Sequence, residues 1–322
     1  MNGQVGRIVV GYDGSAQATY ALEWAALEAA RNGRPLTVFY VIDYGRFVSG
    51  GGPGGGAGLG DLDIAAEPAK VLVDEGVARA RRAAPGVQVT GQAQVGRPFA
   101  ALVEVSRSAE LMVVGTRAHG GLRNLVDVSV SASLAAHAHC PVVIVCGDGN
   151  VLPGPSHPVV VGLDRSGAPH TTLDYAAATA RNASAPLIVV CAWNDFAQYA
   201  RWVSVDTRVV IDRDHLLTAE RKAAREILDA AVTHVRTGYP EVSVSASLIE
   251  AAPAAALLDA AADAGLIVVG THGRGALKSS LFGSVSHAVV HASTRPVAVV
   301  GGTVSVPGRQ TQDHVPPVAA YV

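Results

Sequence analysis

The chain has 322 residues, which fits about two domains, and with 49% hydrophobic against 16% charged residues it can bury sizeable cores. A formal net charge of -2 argues against a broad basic surface for nucleic acid or an anionic membrane. No apolar run approaches the roughly 18 residues of a membrane span, and the opening MNGQVGR runs straight into a strand without a secretory pattern.

Arg7–Tyr12 (RIVVGY) predicts a short buried strand, and Asp13-Gly14-Ser15 a helix start capped by Ser15 or Asp13. Ala18, Ala21, Leu22, Ala25 and Ala29 recur at helical spacing, and Asn32-Gly33 ends that helix. Leu36–Ile42 is β-branched and aromatic, a second strand. Gly50–Gly60 (GGGPGGGAGLG) reads as a flexible loop; its match to G-x-G-x-x-G at Gly50, Gly52 and Gly55 is uninformative inside a glycine tract. A helix from Glu67 to Ala84 stops at Pro85-Gly86, Val87–Val95 alternates as a strand, and Pro98 opens a helix over Phe99–Ser108. Leu111–Thr116 is another buried strand, followed by a helix over Ser129–Ala138 and a strand over Val142–Val145. Strands alternating with helices in this way predict a mostly parallel sheet covered by helices. The three cysteines, Cys140, Cys146 and Cys191, make no disulfide framework and read as buried, reduced thiols of a cytoplasmic protein.

After the glycine- and proline-rich stretch Gly147–His157 the series begins again. Val159–Leu163 with Asp164 repeats Ile8–Tyr12 with Asp13, 151 residues on; Leu187–Trp193 repeats the second strand, and Leu216–Thr237 the long helix. Pro253, Gly270, Ser284 and Pro296 each stand 155 residues after Pro98, Gly115, Ser129 and Pro141. The chain therefore reads as a tandem duplication, with copies over 1–146 and 158–302, a linker over 147–157 and a frayed tail over 303–322.

The stretch with the most chemistry is Leu266–Ser284, LIVVGTHGRGALKSSLFGS. A buried strand feeds a loop with Gly270, Gly273 and Gly275, then Gly283-Ser284 and a helical run from Val285 to His291. Glycines in such a loop let the backbone reach φ > 0 and turn amides toward oxyanions, and a helix start favours negative charge. Ser284 would cap that helix or donate its hydroxyl to a phosphate.

These residues resemble the universal stress protein family in its tandem-domain form. The family's nucleotide signature, G-x2-G-x9-G-[ST], is filled by Gly270, Gly273, Gly283 and Ser284, and an Asp closing the first strand fits at Asp164 and at Asp13 after Gly11. The resemblance covers about residues 5–146 and 157–301. It implies an α/β fold of two Rossmann-like (adenine nucleotide alpha hydrolase-like) domains, each a five-stranded parallel sheet flanked by helices, with ATP at the carboxyl ends of the strands. It further implies that the two fifth strands pair, making an intrachain pseudo-dimer that dimerises again, and a role in stress adaptation and growth control.

On that frame Gly270 and Gly273 expose loop amides, Gly283-Ser284 hold the β- or γ-phosphate, and Asp164 accepts from the ribose or adenine edge or caps the helix after Gly167. Backbone groups at Cys191 and Ala192 face adenine by position; Arg274 and Lys278 neutralise phosphate or are merely solvated, and His272 is a loop residue beside the ligand or facing solvent. Gly162, Gly275, Val285 and Ser286 complete the expected binding set, with Gly11, Asp13, Gly115 and Ser129 as its weaker counterpart in the first copy. There the signature keeps Gly115 but has Ala118 and Val128 for two glycines, with Gly120-Gly121 out of register. A β-branched residue forced to φ > 0 costs about 1–3 kcal/mol, so binding is expected in the second copy and weak or absent in the first.

His287 and His291 share a helix face at a spacing that suits metal ligation, but no H-E-x-x-H and no third ligand is evident, so no metal site is expected. GRGALKS lacks the glycine before lysine of a Walker A, and nothing reads as G-x-S-x-G or as a Cys–His nucleophile. The expected ligand is ATP, with any Mg2+ carried by the nucleotide, and the expected function a nucleotide-dependent regulator read by an unknown protein partner. A slow adenine-nucleotide hydrolase and a non-nucleotide scaffold dimer are the alternatives.

Overall fold

The structure, a computed structural model, describes residues 6–43, 60–116, 127–147, 151–164, 170–193, 213–271 and 283–301. The glycine tract before Gly60, residues 148–150 of the linker and the tail lie outside the described residues. In the first half the elements are β1 (Arg7–Gly11), α1 (Ala16–Asn32), β2 (Leu36–Asp43), α2 (Gly60–Ala83), β3 (Val89–Gly96), α3 (Pro98–Ser106), β4 (Ala109–Gly115), α4 (Asp127–His137) and β5 (Val142–Val145). The second half repeats them as β6 (Val159–Leu163), α5 (His170–Asn182), β7 (Leu187–Trp193), α6 (Arg213–Gly238), β8 (Val244–Glu250), α7 (Pro253–Ala260), β9 (Leu266–Gly270), α8 (Ser284–Ala292) and β10 (Val297–Val300).

All ten strands form one sheet in the order β3-β2-β1-β4-β5-β10-β9-β6-β7-β8. Neighbours are parallel except β5 and β10, which pair antiparallel through Val142↔Val299, Val143↔Ala298 and Ile144↔Val297. Each half is therefore a five-stranded parallel sheet, and the two fifth strands join them, as expected. The inner strands read as largely apolar runs because both of their faces are covered, unlike the edge strands β3 and β8. Alternate side chains enter opposite cores: Ile8 and Val10 pack with α1 and α2, and Val9 with α3. Both cores run through the joint, one taking Val143, Val145, Ala298 and Val300, the other Val142, Ile144, Val297 and Val299. α1, α2, α5 and α6 cover one face, and α3, α4, α7 and α8 the other.

Helix α1 matches its pattern. Ser15 is the cap, its hydroxyl accepting from the Ala18 amide, while Asp13 accepts from the Ser15 amide at 3.0 Å. Gly33 closes the helix in the left-handed region at φ 61, a conformation glycine adopts without a Cβ penalty. Helix α2 begins at Gly60, upstream of the expected Glu67, and carries Pro68 inside it. Strand β3 is exposed along most of its length, as an edge strand is, and does not show the half-buried alternation expected over Val87–Val95. Between the halves, Asn182 on α5 donates to the side chain of Asn32 on α1 at 2.9 Å. Asn32 donates in turn to the Glu28 carboxylate at 2.8 Å, and Arg31 stands 3.3 Å from that carboxylate. Glu28 is buried, which pushes its carboxyl above the ordinary value against the pull of Arg31 and Asn32.

Candidate nucleotide site

In the second half β6 has β7 on one side and β9 on the other, so the chain reverses direction along the sheet at β6 and β9. Open parallel sheets form a ligand crevice beyond the strand ends at such a reversal. Leu163 pairs with Cys191, which puts Asp164 beside Ala192 at the carboxyl edge of the sheet. Val161 pairs with Val268, so Gly162 and Gly270 approach the same edge from the two sides of the crevice. The structure therefore brings Gly162, Asp164, Cys191, Ala192 and Gly270 to one edge, and α8 starts beside it.

The start of α8 is built by two ties to the end of β9. The Gly283 amide donates to the Thr271 carbonyl at 3.0 Å, and the buried Ser286 hydroxyl donates to the Gly270 carbonyl at 2.6 Å. Thr271 is itself anchored, its amide donating to the Val300 carbonyl at 3.1 Å. It escaped the sequence reading, although the repeat marks it: Thr116 follows Gly115 as Thr271 follows Gly270, and the Thr116 amide donates to the Val145 carbonyl at 3.1 Å.

Two expectations are corrected here. Gly283, not Ser284, is the N-cap of α8; Ser284 is the first helical residue, and among the described residues no side chain caps this end. Gly283 has φ -66 and ψ 144, an extended conformation open to any residue, and Gly270 is not among the glycines with positive φ. What Gly283 supplies is closeness: a Cβ there would stand 3.3 Å from the Thr271 carbonyl oxygen. In the first half residue 128 lies inside helix α4, so the strain argued for Val128 at φ > 0 does not arise. α4 starts at Asp127, two residues ahead of Ser129, whereas α8 starts at Ser284 itself.

The remaining site residues divide by what their side chains do. The Cys191 side chain is fully buried in the core, and Val285 packs against the opposite core, leaving their backbones for the crevice. Gly162 is a packing glycine, with a Cβ there meeting Leu257 at 3.0 Å; at Gly11 the fit is looser, with Val114 at 3.3 Å and Leu102 at 3.5 Å. Gly115 lets the backbone of Gln17 come so close that a Cβ would collide with its carbonyl. Ser284 is exposed. His272, Gly273, Arg274, Gly275 and Lys278 lie outside the described residues, as do Ala118, Gly120, Gly121 and Gly167.

Chemically the second-half edge offers a helix start whose first-turn amides, at Ser284, Val285 and Ser286, have no acceptors within the helix. With no capping side chain among the described residues, those amides and the helix dipole favour an anion. Among the described residues no group of His, Cys, Asp or Glu is arranged as a metal cluster of three or more. No helix of the described residues is long and apolar enough to cross a membrane, and Cys140, Cys146 and Cys191 are buried.

The family profile described as the universal stress protein family matches this chain twice, over residues 4–145 and 155–301. A universal stress protein of Mycobacterium tuberculosis is 35% identical over 311 residues, spanning 91% of this chain and 96% of its own. One from Mycolicibacterium smegmatis is 30% identical over 296 residues, with 91% and 96% covered. The fold is also that of the crystal structure of a universal stress protein from Archaeoglobus fulgidus, at a TM-score of 0.66 and 18% identity over 94% of this chain and 100% of that one. With both halves matched across nearly their whole length, the chain belongs to the universal stress protein family and carries its domain in two copies.

Proposed function

We propose that the second copy binds ATP in the crevice between β6 and β9 and that the protein is a nucleotide-dependent regulator in stress adaptation and growth control. The observation that carries this reading is the start of α8: capped by no side chain among the described residues, held to β9 by Gly283 and Ser286, and opening beside Gly270 and Asp164. Phosphates would accept from the first-turn amides and the Ser284 hydroxyl, while the adenosine end would lie toward Asp164 and the backbone at Cys191-Ala192. Occupancy would then change the surface that a protein partner meets at this edge.

The same reading makes the copies unequal. In the first copy Val128 stands in place of a signature glycine, and the earlier start of α4 puts Ser129 inside the first turn rather than at its head. Calorimetric titration with ATP is expected to count one site per chain, abolished by Gly283→Val. Two equal sites would contradict the asymmetry, and no heat at millimolar ATP would favour the scaffold reading. Mass spectrometry of the small molecule released on denaturing freshly purified protein identifies the native ligand. Multiple-turnover phosphate release that is lost in Ser284→Ala would move the assignment to a slow hydrolase.

A further inference from the structure

His287 and His291 lie one turn apart on α8, both exposed, with ring centroids 4.2 Å apart and planes tilted by 43°. Their Nε2 atoms face each other at 3.1 Å. Two imidazole nitrogens aimed at one point at this separation hold either a shared proton or a cation in its place. We propose that the pair is a two-point chelate for a borderline transition-metal dication such as Zn(II), with its other coordination positions open to water or to an oxygen ligand.

The distance suits the chemistry. With metal–nitrogen bonds of about 2.0–2.1 Å, nitrogens 3.1 Å apart subtend roughly 100° at the metal, between the octahedral and tetrahedral angles. Imidazole donors select zinc, nickel or copper and leave magnesium and calcium, which prefer oxygen. The donors are also preorganised, because they project from one rigid helix whose first turn closes through the His287 amide donating to the Gly283 carbonyl at 2.9 Å. A bound ion would staple the first two turns of α8. This site is independent of whether the crevice takes nucleotide.

The test is calorimetry of the untagged full chain with ZnCl2, repeated in the presence of excess MgCl2. One Zn(II) per chain is expected, undisturbed by Mg(II) and weakened at least about tenfold by His287→Ala and by His291→Ala, since even outer-shell substitutions cost that much. His139→Ala, which changes an exposed histidine elsewhere among the 11, is expected to leave it intact. Both helix positions are exposed, so the variants keep their metal-free melting temperature, and Zn(II) slows amide exchange in α8 of the wild type alone. Equal Zn(II) affinity in wild type and both helix variants, or displacement by Mg(II), would overturn the proposal.

Discussion

The Ser286 hydroxyl donates to the Gly270 carbonyl at 2.6 Å, and the first copy repeats the bond between Ser131 and Gly115 at a looser 3.4 Å. Ser286→Ala strands a carbonyl at the crevice and is expected to cost about 1–2 kcal/mol, against about 0.5 kcal/mol for Ser131→Ala. Urea denaturation of the two variants measures the difference. An equal loss would show that bond length does not rank these ties.

Gly115 is required by contact rather than by torsion. A Cβ there would collide with the Gln17 backbone, which cannot swing away as a side chain can, so Gly115→Ala is expected to cost about 3 kcal/mol. Gly96→Ala, where a Cβ meets nothing within 4 Å, should be close to neutral. Thermal melts of the pair provide the comparison.

The joint between the long helix and its neighbour has diverged between the copies. His234 on α6 meets the buried Asp174 on α5 at 2.8 Å, whereas Arg79, 155 residues earlier on α2, meets Glu23 on α1 at 2.9 Å in a solvated setting. Glu23 is itself the first-copy counterpart of Asp174, 151 residues earlier, so the acid is kept in place while its partner and its solvation have changed. His234→Ala is expected to destabilise by about 1–3 kcal/mol by taking the imidazole from a buried carboxylate. Arg79→Ala should cost less than about 1 kcal/mol, as exposed pairs do. Denaturant midpoints test both.

Burial raises the Glu28 carboxyl above its ordinary value, so the folded chain holds that proton more tightly than the unfolded one. Its contribution is most favourable below the ordinary carboxylate value and is lost as pH rises through the raised one. Glu28→Gln removes the ionisation and can keep the hydrogen bond with Asn32. Its melting temperature should exceed that of the wild type at neutral pH, with the gap closing as pH falls toward 4. A gap that widens on acidification would contradict this.

Desolvation pushes the Cys140 and Cys146 thiols up to about 12, and Cys191 is fully buried. A thiol-disulfide reagent at pH 8 should therefore label none of the three in the native chain and all three after denaturation. Rapid native labelling would mean that the cores open readily.

Much of this architecture was legible because the apolar runs are short and bounded. Val142–Val145, Val159–Leu163 and Leu187–Trp193 fall where the pattern puts them, and the repeat aligns the copies. Signals of local geometry were less reliable. Gly283 reads as a residue chosen for unusual torsion, yet its φ is ordinary and its use is the short approach to Thr271. Close approach depends on what the fold brings alongside, and one sequence does not show that. The same applies to His234 and Asp174, 60 residues apart with no periodic link, and to the Ser286 tie, for which a serine after a glycine-serine pair is weak notice. His287 and His291 could be put on one face from spacing alone, but the aim of their nitrogens required the side chains.

The antiparallel union of Val142–Val145 with Val297–Val300 uses up the inner margin of each half. All eight of these residues are shut away from water, so a severed half would present a bare, sticky ribbon with backbone donors and acceptors unmatched. Fusing the copies in one polypeptide supplies each ribbon with its mate at high local concentration. Among the described strands it leaves β3 and β8 as the edges where another molecule could lengthen the array.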